Sequence, residues 1–289
     1  SIFKNVYAQN LRDFMLPHLT NIYDYTTKKL FKELTSSAIM VVEKGRNTNE
    51  VIYHDIVKKN TYTINKNKLI NKWSFNKISV CEKEKIRFGD YFHASVSVAT
   101  LYNEAFVIKN YKEDRKYILV KNIAIEREIL RKAVSPRSLN YNRSELIIFP
   151  YYYTRNGLKR YGEKEFIEKY PNASKYLRKF IEKLDKRKSD KSVKWFEYGR
   201  SQAIAHLNQK KLLISTIITD KVKVYELSKD CIPYSGIYII KKGELSLSDA
   251  KKIMESQSFM DYIISIGIRA NGRSIRITSK DINDYEFVR

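Results

Sequence analysis

The rhythm of apolar and polar positions changes along the chain. Between residues 3 and 19, Phe3, Val6, Tyr7, Leu11, Phe14, Met15 and Leu19 recur at helical spacing. This predicts an amphipathic helix, closed or kinked at Pro17. "NIYDY" reads as a short strand and "TTKKLFKEL" as a turn or short helix. "SAIMVVEKG" (37–45) is a continuous apolar run ending at Gly45, the pattern of a strand buried on both faces. "VIYHDIV" (51–57) is a further strand. Helix, strand, short helix, strand is the order of an α/β sheet. The units are too few for a self-contained doubly wound sheet, so residues 1–60 read as the tail of a larger domain.

From residue 61 to 289 the pattern becomes that of a mixed α+β domain. "SVSVATLYNEAFVI" (95–108) alternates strand-like runs with a small-residue turn. "YILVKNIA", "ELIIFPYYY", "KLLISTII", "VKVYEL" and "GIYIIKKG" read as strands, and "IEREILRKAV" (125–134) as a short helix. The clearest helical stretch is 163–187, with Pro171 near a helix start and Ala173, Leu177, Phe180 and Leu184 on one face. Residues 248–266 read as a helix broken near Ser256, with Gly267 as its stop. "KLDKRKSDKSVK" (183–194) reads as a solvated helix end and loop.

Charge narrows the partners. The 289 residues carry 55 Lys+Arg against 32 Asp+Glu, a net charge of +23. That excess points to a polyanion, most often nucleic acid; a lysine-rich genome would add lysines without removing acids. With 43% hydrophobic residues a sizeable core can form. No apolar run approaches the roughly 18 residues of a membrane span, and the polar opening lacks a signal peptide. Cys81 and Cys231 have no Cys or His at metal spacing, so neither a zinc site nor a disulfide framework is expected. The compartment expected is the reducing cytoplasm.

Catalytic signatures are missing. There is no phosphate-cradling glycine loop, no H-E-x-x-H and no G-x-S-x-G. The four histidines are scattered. The chain reads as a binder of DNA, with no catalytic residue and no metal ligand assigned. The densest constellation is "WFEYGRSQ" (195–202). Trp195, Phe196 and Tyr198 could pack the scaffold or stack on bases. Gly199 permits backbone conformations that other residues avoid. Arg200 and Gln202 have the geometry for bidentate contacts to guanine and adenine, and Ser201 for a phosphate. The alternative is a tryptophan buried at a strand–helix corner, with Arg200 paired to Glu197.

"YPNASKYLRKFIEKLDKR" (170–187) followed by "WFEYGRSQ" resembles the target-recognition region of adenine-specific DNA methyltransferases of type II restriction–modification systems, in particular the Eco57I-like and TaqI-like group. Other stretches match in the same order. Residues 1–45 resemble the end of the family's catalytic Rossmann-like domain. "SVSVATLYNEAFVI" resembles the segment that opens its recognition domain, and "IEREILRKAVSPRSL" the next helix. "SLSDAKKIMESQSFMDYIISIGIRANGRSIRITSKDIND" resembles the closing helix and basic strands.

The resemblance implies a fold in two parts. Residues 1–60 would be an α/β remnant of a Rossmann-like methyltransferase sheet, and 61–289 a mixed α+β target-recognition domain reading double-stranded DNA. The family's Asn/Asp-Pro-Pro-Tyr/Phe motif has no counterpart, since the sequence contains no Pro-Pro. Its glycine-bearing S-adenosylmethionine loop is absent too. Both are expected upstream of Ser1, in a missing methyltransferase half of which this chain would be the C-terminal part, so no cofactor is assigned to this chain. Phosphate contacts are expected from Lys210, Lys211, Lys241, Lys242, Arg269, Arg273 and Arg276. Base reading is expected from Arg200 and Gln202, with Trp195, Tyr198 and Ser201 around them, and Thr100 and Asn103 near the target site. Three rivals remain: a complete restriction subunit, for which no metal-binding carboxylate cluster is found; a non-catalytic specificity subunit recruiting a separate methyltransferase or nuclease; and an RNA-binding protein, suited to the 22 tyrosines and 13 phenylalanines.

Overall fold

The computed structural model describes residues 2–25, 28, 30–31, 37–75, 85–269 and 274–288. Cys81 and most of "TTKKLFKEL" lie outside them. The chain divides into two compact units: 1–87 with 216–222 and 253–289, and 88–215 with 223–252. The first unit thus runs to residue 87 and takes in two later segments.

In the first unit, helix α1 (Gln9–Met15) lies between two short 3-10 turns, Val6–Ala8 and Leu16–His18, the second holding Pro17. Strands β1 (Leu19–Asp24), β2 (Ala38–Val42), β3 (Glu50–Asp55) and β4 (Asn60–Asn65) form a sheet in the order β2-β1-β3-β4. β1 and β3 run parallel and the other pairs antiparallel. Leu19, Ile22, Val51, Tyr53 and Ile64 point to one face and join Phe3, Leu69, Trp73 and Phe75 in this unit's core. β2 is an edge strand, with Ile39, Val41 and Val42 exposed. The expectation of a strand buried on both faces is corrected: β2 pairs with β1 alone, and an apolar run by itself does not reveal whether a second face is covered.

The opening helix inverts its own pattern. Tyr7, Leu11 and Phe14, spaced along one face, are exposed, Tyr7 by 97%. Arg12 is buried instead. Its guanidinium donates to Ile2 O at 2.6 Å, Asn5 O at 2.8 Å and Gln9 Oε1 at 2.6 Å. Burial lowers its pKa from the usual arginine value, and the carbonyls supply in part what water would have given.

Elsewhere in this unit, the break expected near Ser256 is a cap. Ser256 Oγ accepts from Phe259 N at 3.1 Å and starts the helix Gln257–Ile266. Gly267 ends it without a left-handed turn, at φ −69°. A side chain there would strike Ile275 and the Ile263 carbonyl, so close packing is what requires this glycine.

The second unit is built on two four-stranded sheets. One runs Tyr225–Leu227, Lys211–Ile214, Ile237–Lys241, Phe92–Val96, all antiparallel. The other runs Cys231–Pro233, Leu130–Val134, Glu145–Ile148, Val107–Ile108, with the first pair parallel. The helix expected over 125–134 is corrected to strand Ile123–Glu126, a 3-10 turn and strand Leu130–Val134. Its apolar spacing suited a helix, but Leu130–Val134 pairs on both sides and Ile123–Glu126 pairs with Tyr117–Val120 on one, which decides for strand. Residues 163–187 are helical in three pieces, Glu163–Lys169, Pro171–Arg178 and Ile181–Asp185, with Pro171 at the first helical position.

The inversion of α1 is testable by urea unfolding. Arg12→Ala should lower stability by about 2–4 kcal/mol, because three acceptors lose a charged donor. Phe14→Ser should stay within about 0.5 kcal/mol. The reverse ranking would mean that the apolar stripe, not the arginine, holds the helix.

Candidate nucleic-acid interface

The segment 195–200 is joined to the turn 97–103. Arg200 N donates to Ala99 O at 3.1 Å and Gly199 N to Thr100 O at 3.2 Å, forming an isolated antiparallel bridge. Below it the aromatics are core. Phe196 stacks on Phe166 at 4.1 Å between centroids, with the rings 1° from parallel. Tyr198 is fully buried, its hydroxyl donating to Ile148 O and its amide to Tyr151 Oη, both at 2.8 Å. Trp195 is half-buried, its Nε1 donating to Glu163 Oε1 at 2.7 Å while Arg178 lies 4.8 Å over its ring. Tyr198 is thereby corrected from a DNA contact to a core residue, and Trp195 has both its N–H and a ring face engaged within the protein.

Glu197 is also buried, but its partner is Arg160, not Arg200. Arg160 binds it through Nε (2.7 Å) and Nη2, while Lys194 N donates at 2.8 Å. Arg200 is exposed, with no ion pair or side-chain hydrogen bond among the described residues. Gln202 and Asn103 are exposed as well, and Ser201 is half-buried with its amide near Asp190 Oδ2 at 3.4 Å. Thr100 is buried; its hydroxyl accepts from Tyr102 N at 3.1 Å and donates to Asn103 Oδ1 at 2.6 Å. Thr100 is corrected to a positioning role for the turn.

Arg187, from the stretch expected to be solvated loop, holds this corner. Its guanidinium donates to Thr100 O (2.6 Å), Glu197 O (3.0 Å), Trp195 O (3.1 Å) and Leu184 O (2.9 Å). Burial lowers its pKa from the usual arginine value. Gly199 does not adopt a left-handed conformation; a side chain there would meet Leu101 Cδ1 at 2.5 Å. The left-handed residue is Leu101 itself, at φ +58°.

The lysines separate. Lys210 and Lys241 are exposed, and Lys242 is exposed with Nζ on Gly89 O at 3.1 Å. Lys211 is corrected: it is 1% exposed, its Nζ donating to Gln209 O and Ser228 O at 2.9 Å and to Lys229 O at 3.3 Å. Burial pushes its pKa down to about 8. Arg276 is exposed but belongs to the first unit; the backbone of Arg269 pairs beside it, and Arg273 lies outside the described residues.

Other groups join this unit's basic surface without a sequence signal. His93 and His206 face each other at 6.2 Å. Burial, then His206 and Lys242, lower the His93 pKa. A groove of about 710 Å³ beside Asn103 has Tyr176 and Phe180 in its lining, together with Lys109, Lys121 and Lys179. Among the described residues no group of three or more His, Cys, Asp or Glu could hold a metal ion. No described helix is long and apolar enough to cross a membrane.

No family model matches the chain. It is 24% identical over 212 residues to the type II methyltransferase M.MjaIV of Methanocaldococcus jannaschii, a match covering 70% of this chain and 66% of that protein. Its fold matches part of the type IIL restriction–modification enzyme MmeI, whose structure was solved in complex with DNA. The TM-score is 0.59 at 12% identity, covering 98% of this chain and 37% of MmeI. The chain is thus distantly similar to a type II methyltransferase and shares the mixed α/β fold of part of a restriction–modification enzyme.

The lysine assignment predicts a pH signature. A lysine with a folded pKa near 8 is charged in both states below that pH. Between about 8 and 10.4 it is neutral when folded and charged when unfolded, so stability rises with pH. Wild-type stability, measured relative to Lys211→Met, should rise by about 1–2 kcal/mol between roughly pH 7.5 and 9.5 in urea titrations. A flat difference would place the amine in solvent.

Proposed function

We propose that this chain reads duplex DNA as the target-recognition part of an adenine-specific DNA methyltransferase of a restriction–modification system, acting in the cytoplasm. Methyl transfer from S-adenosylmethionine belongs, in this reading, to an upstream methyltransferase half. Residues 1–60 close that half's Rossmann-like domain, and the second compact unit carries the reading surface. The exposed stripe of Tyr7, Leu11 and Phe14 suits packing against the methyltransferase half.

The observation that carries the proposal is the Ala99–Arg200 bridge. It sets an arginine that has no carboxylate partner among the described residues on a backbone fixed by buried groups, with exposed Asn103 four residues on from Ala99 and exposed Gln202 two residues on from Arg200. An exposed guanidinium on a fixed backbone offers the donor fork that reads guanine O6 and N7. The net charge of +23 supplies the phosphate attraction. The similarity to M.MjaIV and the fold shared with MmeI support the same reading.

Binding to duplexes with each base pair varied in turn tests the assignment. Arg200→Ala should cost about 1–3 kcal/mol at one base pair and relax preference there. Lys210→Ala should weaken all duplexes alike and lower the salt slope by about 1. A uniform loss for Arg200→Ala would remove it as a base reader.

A further inference from the structure

Seven non-glycine residues among those described have positive φ: Lys59, Asn71, Leu101, Lys121, Asn122, Asn142 and Ser192. Six are polar. Leu101 is the apolar one, and its left-handed backbone is costly for a residue with a branched side chain. Burial does not compensate, because Leu101 remains 41% exposed. If the turn needed only a left-handed residue, glycine or asparagine would serve at lower cost.

The turn is over-determined. Thr100 is tied to Tyr102 and Asn103 through its hydroxyl, and to Gly199 and Arg187 through its carbonyl. Gly199 is bare where the leucine lies, since any Cβ would collide with Leu101 Cδ1 and Cγ. An aliphatic side chain on a left-handed backbone is therefore held half out of the surface, over the residue that precedes Arg200.

We infer that Leu101 is an apolar wedge that enters the DNA base stack beside the base pair read by Arg200. This rests on the DNA-reading function proposed above. A rigid aliphatic side chain suits this task, because it replaces stacking surface lost when a step is opened, and proteins that unstack DNA use such residues. Opening a step also eases removal of a base from the helix, which chemistry on a base requires. The leucine contributes to the deformation, while the neighbouring arginine contributes the reading.

The test compares the full chain with its Leu101→Gly and Leu101→Asn variants. Urea unfolding is measured first. Binding follows, to a duplex selected by the wild-type chain from a random pool, carrying at successive positions a fluorescent base analogue that brightens when unstacked. Both variants should unfold at the same or higher urea concentration than wild type, because the strain is relieved. They should select the same sequence but bind it about 5–10-fold more weakly. The fluorescence rise that wild type produces at one step should disappear. Lower stability of both variants would make Leu101 a structural residue and overturn the wedge. So would a retained fluorescence rise, or a lost preference at one T·A pair without unstacking, which would mark a thymine-methyl contact. If the wild-type chain selects no duplex, the proposed function fails and the wedge with it. If it selects one and the variants match it in affinity and fluorescence, the wedge alone fails.

Discussion

The corner that carries Arg200 depends on the four hydrogen bonds of Arg187. One guanidinium ties the carbonyls of Leu184, Thr100, Trp195 and Glu197 together, linking a helix end, the turn before Asn103 and the backbone leading to Arg200. A planar, permanently charged fork is suited to this, since it offers five donors in fixed directions. Without it, the Thr100 and Glu197 carbonyls would lose a charged donor in a partly buried corner, and the Ala99–Arg200 bridge would lose its support. The exposed arginine is informative only because the half-buried one holds its backbone still.

The same corner shows how a cluster of chemically rich residues separates into roles. "WFEYGRSQ" contains a core aromatic pair, a buried carboxylate neutralised by Arg160, a glycine that makes room for a neighbour, and one exposed cation. Types alone do not distinguish these, because tryptophan, tyrosine and arginine serve both cores and interfaces. The partner does: Arg160 lies 37 positions from Glu197 in the chain, and no local pattern pairs them. Lys211 is a further case, sitting beside exposed Lys210 but facing three carbonyls from inside a strand.

Strands bounded by turn residues, the helix break near Ser256 and the start at Pro171 were legible in the sequence, because their causes are local. The opening helix was legible as a helix but not in its orientation. Its stripe of Tyr7, Leu11 and Phe14 predicts burial on an apolar face, whereas Arg12 is the buried residue. The edge position of β2, the strand–turn–strand over 123–134 and the return of 216–222 and 253–289 to the first unit depend on pairing across long separations. Periodicity carries no information about such pairing. The left-handed Leu101 was illegible for the same reason: Gly199 and Arg187, from outside its own stretch, hold the Thr100 carbonyl beside it.

In the proposed function, the surface around Arg200 reads duplex sequence rather than charge alone. Selection of binders from a random duplex pool with this chain, at about physiological salt, tests it most directly, because non-specific binding is weak there. If the surface reads sequence, one short motif containing a guanine is enriched, and Arg200→Ala no longer selects that guanine. Salt-sensitive binding with no enriched motif would contradict it, leaving a basic surface that holds DNA without reading it.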